Sequence, residues 1–87
     1  MTSGTILAID LGKYKSVACV YRAGREPSFQ TLASNPEALL RLCQRHRPDV
    51  VVIEACLLAG WVHDLCVGAG FACEVANTAS ESWKFGW

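Results

Sequence analysis

Two periods of apolar and polar residues alternate along this chain. Thr5 to Leu11 (Thr-Ile-Leu-Ala-Ile-Asp-Leu) is a short, nearly continuous apolar run. Its length and β-branching predict a strand buried on both faces. Gly12-Lys13-Tyr14 reads as a tight turn, and Lys15 to Arg22 then alternates with Val17, Cys19 and Tyr21 on one face. That pattern predicts a second strand, antiparallel to the first through a hairpin. Residues 23–27 carry turn chemistry, and Ser28 to Ala33 reads as a third, weaker strand.

The period changes at Asn35-Pro36-Glu37. Asn caps free amide groups, Pro suits the first helical position, and Glu complements the positive end of the helix dipole. Leu39, Leu42, Cys43 and His46 follow at helical spacing, and Pro48 ends the helix with Arg45 and Arg47 near its negative end. Asp49 to Ala55 holds four β-branched residues in succession, which predicts a central parallel strand. A second helix is expected from about Leu58 to Ala69, burying Leu58, Trp61, Val62 and Leu65, with Gly68 and Gly70 at its stop. Phe71 to Ala76 reads as a fifth strand, and residues 77–87 show no clear period. The expected order is β-β-β-α-β-α-β, a meander followed by two right-handed crossovers.

Composition adds a tension to this picture. A chain of 87 residues buries only about 60–65% of the surface that its unfolded form exposes. Yet 52% of its residues are apolar and 18% are charged. Part of that apolar surface is therefore expected to meet a partner or a continuation of the chain. The net charge is zero, so the bulk electrostatics argue for neither nucleic acid nor a membrane. Basic residues cluster locally instead, at Lys13 and Lys15 and at Arg41, Arg45 and Arg47. Both groups fit a solvated surface, and the arginines also fit the helix dipole.

Cys19, Cys43, Cys56, Cys66 and Cys73 are odd in number, none is spaced Cys-x-x-Cys, and each lies in an apolar segment. Reduced, buried thiols in a cytoplasmic protein are expected, rather than a disulfide framework or a zinc site. The start lacks a basic leader, and no apolar stretch approaches the roughly 20 residues of a membrane span. His46 and His63 have no partner at metal-ligand spacing, Trp61 reads as core, and Trp83 and Trp87 read as exposed in this chain.

The chemistry lies in two carboxylates. Asp10 and Glu54 each follow four apolar residues near the end of a predicted strand. A carboxylate within such a run is costly unless it is paired or binds a cation. If the first and fourth strands are parallel neighbours, the two acids emerge side by side at the carboxyl edge of the sheet, about 4.8 Å apart in backbone spacing. Two close carboxylates share a proton or hold a cation, and Mg2+ suits few oxygen ligands completed by water. The bland readings are a turn Asp before Gly and a Glu at a helix start.

The segment Ile-Leu-Ala-Ile-Asp-Leu-Gly-Lys-Tyr-Lys-Ser-Val-Ala-Cys-Val-Tyr resembles the first hairpin of RuvC-like, RNase H-fold nucleases. With Val-Val-Val-Ile-Glu-Ala, the helix after it, and Phe-Ala-Cys-Glu-Val-Ala-Asn, the chain from about Thr5 to Lys84 looks like the N-terminal domain of the DEDD transposases of insertion sequences. That family is similar to the Holliday-junction resolvases and includes the bridge-RNA-guided recombinases. The resemblance implies an α/β, RNase H-like fold with a five-stranded mixed sheet, incomplete at the C-terminus. It implies metal-dependent DNA strand cleavage and exchange in full-length relatives, with Mg2+, DNA, a guide RNA and an oligomeric assembly. Four acidic residues hold the metal in the family; Asp10 and Glu54 match the first two, and both carry the catalytic and metal-ligand roles. Lys13 and Lys15, in the hairpin beside Asp10, are candidates for phosphate-backbone contact.

The family's last two aspartates belong to a Lys-Thr-Asp-x-x-Asp-type segment, which these 87 residues do not contain, and Asp49, Asp64 and Glu74 do not match it. The expectation is an N-terminal fragment of such a transposase, with a weak metal site and no activity alone. Two other readings share the fold. An actin-like or chaperone-type ATPase fragment would use Asp10 to Gly12 as its phosphate loop, although Lys13 and Tyr14 replace the small residues expected there. A non-catalytic RNase H-like module would bind a partner through its open face.

Overall fold

The computed structural model describes residues 4–77. Its elements run β1 (Thr5–Asp10), β2 (Lys15–Arg22), β3 (Ser28–Ala33), α1 (Pro36–His46), β4 (Val50–Glu54), α2 (Ala59–Gly68) and β5 (Cys73–Ala76), the order expected from the sequence. The five strands form one mixed sheet in the order β3-β2-β1-β4-β5. The meander is antiparallel, with Asp10 opposite Val17 and Ser16 opposite Leu32. The crossovers make β1, β4 and β5 parallel, with Ile9 level with Ile53 and Glu54 level with Ala76.

Both helices lie on the same face of this sheet. Leu39, Leu42 and Cys43 of α1 and Val62 and Cys66 of α2 share one core with Leu7, Ile9, Ala18, Val20, Val51 and Ile53. Helix α1 begins as its sequence dictates: the Asn35 side chain accepts from the Ala38 amide at 2.8 Å, and Pro36 opens the first turn. It ends at Arg47, whose N–H completes the helical ladder to the Cys43 carbonyl at 2.7 Å and whose left-handed backbone (φ 47°) then turns the chain out of the helix. Helix α2 is shorter than its sequence suggests and turns Ala59, Val62 and Cys66 inward. Trp61 and Leu65 only pack against the core's margin, as does Phe71, which precedes β5 rather than opening it.

The one-sided helical layer corrects one expectation. β1 is not buried on both faces: Thr5, Leu7 and Ile9 are buried, while Ile6 and Asp10 are exposed and Ala8 is half-buried. β4 behaves likewise, with Val51 and Ile53 fully buried and Val50 and Val52 half-buried. An apolar run signals a strand, but the layers packed on its sheet decide how many of its faces are covered. The open face carries the surplus apolar surface noted from composition, including Ile6, Val17, Tyr21 and the highly exposed Phe29.

The thiols are free among the described residues. Cys19, Cys43 and Cys66 are buried as expected, but Cys56, in the β4–α2 connection, is exposed. Burial pushes the Cys73 thiol up to about 12, so it stays protonated. No helix among the described residues is long and apolar enough to cross a membrane. Trp83 and Trp87 lie outside the described residues.

Candidate functional site

Asp10 and Glu54 come together as the topology requires. Ile9 and Ile53 are register partners on adjacent parallel strands, so the next residue on each is an acid at the same level of the carboxyl edge. Side chains alternate between faces. Because Ile9 and Ile53 point into the helical core, Asp10 and Glu54 point to the open face. Both are exposed, which corrects the expectation that these acids are buried in their apolar runs. The desolvation argument for a cation therefore falls away, and the geometric one takes its place.

The open face around them forms a depression of about 390 Å³ lined by Ala8, Asp10, Val17, Cys19, Phe29, Val52, Glu54 and Ala76. Its floor is apolar, and its acids gather at one end. Glu74 shares the face, opposite Val52 and one side-chain row below Glu54, which separates it by about 7 Å along the strand. Two carboxylate groups at one edge supply hard oxygen donors on adjacent rigid strands, and water has access to the rest of a coordination sphere. That donor set fits Mg2+ better than a soft metal. No group of three or more His, Cys, Asp or Glu side chains able to hold a metal is present among the described residues.

The turn after Asp10 is braced from below. The Gly12 amide donates to the Ser16 hydroxyl at 3.4 Å, and that hydroxyl is 2.7 Å from the Ser34 hydroxyl. Ser16 is almost fully buried, so its oxygen is satisfied within the protein. The Ser34 amide also donates to the Tyr14 carbonyl at 2.9 Å, which ties the start of β2 to the end of β3. Sequence reading did not give Ser16 and Ser34 this role; the signal available was a small hydroxyl residue at a helix-facing position of a strand. Lys13 and Lys15 are exposed near Asp10, and the Lys13 ammonium lies 5.4 Å from the Tyr14 ring centroid. Of the remaining acids, Asp49 lies at the opposite end of β4, and Asp64 contacts His63 at 3.3 Å on α2.

No protein-family model matches the chain, and no curated protein matches it. Solved structures do. The chain is similar to RuvC of Thermus thermophilus with a TM-score of 0.57 and 15% sequence identity, over 83% of this chain and 63% of that one. The chain thus spans 63% of the length of that protein. At this identity the likeness establishes the fold: an α/β, RuvC-like and therefore RNase H-like domain, as the sequence resemblance implies.

Proposed function

We propose that this chain is the N-terminal part of a RuvC-like DEDD transposase domain that acts in DNA transposition and recombination, with Asp10 and Glu54 as two of its acidic metal ligands. The observation that carries the reading is their register: adjacent parallel strands present both carboxylates at one level of an open sheet edge. The hairpin and Val-rich strand motifs support the finer family assignment, and the RuvC-like fold supports nuclease-type chemistry.

In this reading Asp10 and Glu54 would hold Mg2+, with water and further acidic ligands completing the sphere. Such a metal would supply activation of the attacking oxygen and stabilisation of the leaving oxygen at a phosphodiester. The strands keep the two acids at a fixed spacing, and the exposed Lys13 and Lys15 offer the DNA backbone two positioning charges beside the acids. DNA is the substrate class, and a guide RNA and an oligomeric assembly are the partners in full-length relatives.

The site is tested by titrating Mn2+ into the 15N-labelled chain. Amides at the ends of β1 and β4 should broaden, and Asp10→Asn or Glu54→Gln should each abolish the effect. Broadening that is unchanged in both variants, or that centres elsewhere, refutes the ligand assignment. The family is tested by translating the coding DNA downstream of codon 87 in all three frames. A Lys-Thr-Asp-x-x-Asp-type segment is expected there, and a long downstream frame without it counts against the transposase reading.

A further inference from the structure

A net charge of zero conceals a strongly uneven distribution. The carboxyl edge of β1 and β4 holds Asp10 and Glu54 beside Lys13 and Lys15, whereas the opposite end of the strands gathers arginines. Arg22 ends β2, beside the start of β1. Its guanidinium donates to the Thr5 hydroxyl at 3.4 Å and to Nδ1 of His46 at 3.0 Å. His46 closes α1, and both Arg22 and Arg45 act on it electrostatically, so the helix end and the strand end form one surface. Burial, together with these two cations, holds His46 below its ordinary value and therefore neutral, which leaves Nδ1 able to accept from Arg22.

Around this link the charges accumulate. Arg25 lines a depression of about 420 Å³ with Thr5, Arg22 and Ala23. Arg47 follows His46 directly, and Arg41 lies one helical turn before Arg45 on the same side of α1. The acids in this part of the chain are Glu26 and Asp49, and Asp49 accepts the Thr5 amide at 2.7 Å. Among the described residues none of the five arginines forms an ion pair; the pair found is His63 with Asp64. The helix dipole explains a cation or two in the last turn of α1, but not Arg22 and Arg25, which come from the meander.

We infer that this pole is a docking surface for a nucleic-acid phosphodiester backbone, contacted by Arg22, Arg25, Arg41, Arg45 and Arg47. All five cations are guanidinium groups, whose planar fork matches phosphate in bidentate geometry. They spread over a strand end, a turn and a helix, which is too wide for one phosphate and suits a repeating polyanion. The surface lies at the opposite end of the strands from Asp10 and Glu54, so it is separate from the proposed metal site and does not rest on it.

The test is fluorescence anisotropy of the chain with labelled duplex DNA, single-stranded DNA and RNA of one sequence, over a salt series starting at low ionic strength. The variants are R25Q with R45Q, and R41Q with R45Q. Arg25, Arg41 and Arg45 are exposed, so circular dichroism should show an unchanged fold. Removing one arginine–phosphate interaction should flatten the slope of log K against log salt by about 0.9 on duplex DNA, so each double variant should flatten it by about 1.8. That corresponds to about tenfold less loss of affinity between 50 and 200 mM salt. The strand type bound most tightly identifies the nucleic acid. K13Q with K15Q, at the other pole, should leave most of the slope in place. Unchanged slopes in both arginine variants overturn the inference. So does a slope carried instead by Lys13 and Lys15, or displacement of the nucleic acid by polyglutamate at equal charge.

Discussion

Replacing Gly12 with alanine tests whether the turn beside Asp10 is built as described. A Cβ placed at Gly12 would overlap the carbonyl oxygen of Lys15. The obstacle is backbone, so no side-chain rotation relieves it. Lys15 is also poorly placed to retreat: it pairs with Ala33 of β3, and the Ser34 amide holds the Tyr14 carbonyl immediately before it. The displacement therefore falls on Gly12, whose amide is held by the buried Ser16 hydroxyl, and on Asp10 two residues earlier.

Forcing extra volume into a site that cannot relax costs typically about 1–3 kcal/mol. The entropy that alanine removes from the unfolded chain returns only about 0.4–1 kcal/mol. A net loss of about 1–2 kcal/mol remains, which for a domain of this size lowers Tm by roughly 4–16 °C. Thermal melts followed by circular dichroism measure it. The control is Gly60→Ala in α2, where an added Cβ meets nothing within 4 Å and helix propensity favours alanine by up to about 1 kcal/mol. The two identical chemical changes should shift Tm in opposite directions. A Gly12→Ala protein as stable as the parent, with Gly60→Ala stabilised as expected, would refute the turn geometry and with it the bracing of Asp10.

Two further expectations follow from the packing and the titration. Leu39 is fully buried at the centre of the helix–sheet core, so Leu39→Ala should cost about 2–5 kcal/mol in urea unfolding, enough to unfold a large share of so small a domain. A Leu39→Ala loss below about 1 kcal/mol would mean that α1 does not pack as described. His46 is held below its ordinary value of 6.5, so the unfolded chain takes up a proton that the folded one resists. Its contribution is complete above pH 6.5 and is lost as pH falls from there through the lowered value. Stability measured against pH should therefore decline on acidification over that range, less steeply in His46→Gln, which cannot take the proton. An equal decline in the variant would assign the effect to other groups.

Much of the fold was legible in the chain because its elements obey local rules. The hairpin alternation, the Asn35-Pro36-Glu37 start and the Val-rich strand each specify an element without help from the rest. Burial is less legible, because it depends on distant layers. Nothing in Ile-Leu-Ala-Ile-Asp-Leu states that both helices cover the same face, so the strand was expected to be buried twice and its Asp to be buried with it. The inward face of α2 is hidden for a related reason: apolar residues surround that helix, so its sequence does not choose between Leu65 and Cys66 as the inward position. The candidate pair itself was legible because strand length and strand neighbours suffice to bring Asp10 and Glu54 level. The arginine pole was not, because Arg22 meets His46 only after the meander and the first crossover have formed.

The level of the two acids is set at the far end of their strands. The Thr5 amide donates to the Asp49 carboxylate at 2.7 Å, and the Asp49 amide donates to the Thr5 carbonyl at 2.8 Å. This reciprocal pair starts the β1–β4 ladder, from which Ile6 pairs with Val50 and Ile9 with Ile53. Thr5 is almost fully buried, so its amide has no ready replacement for the charged acceptor, and such bonds contribute about 1.5–3 kcal/mol. A slip of one residue would carry Glu54 to the helix-facing side, where its charge would face the core side of the sheet, and would bring Ile53 to the edge beside Asp10. Two penalties therefore oppose the slip: loss of the Thr5–Asp49 clamp at the start of the strands and burial of a carboxylate at their end. Asp49 matches no position of the acidic motif, yet it fixes the register on which the Asp10–Glu54 pair depends. It acts on the candidate site from the opposite pole of the sheet, through the rigidity of two short strands rather than through contact.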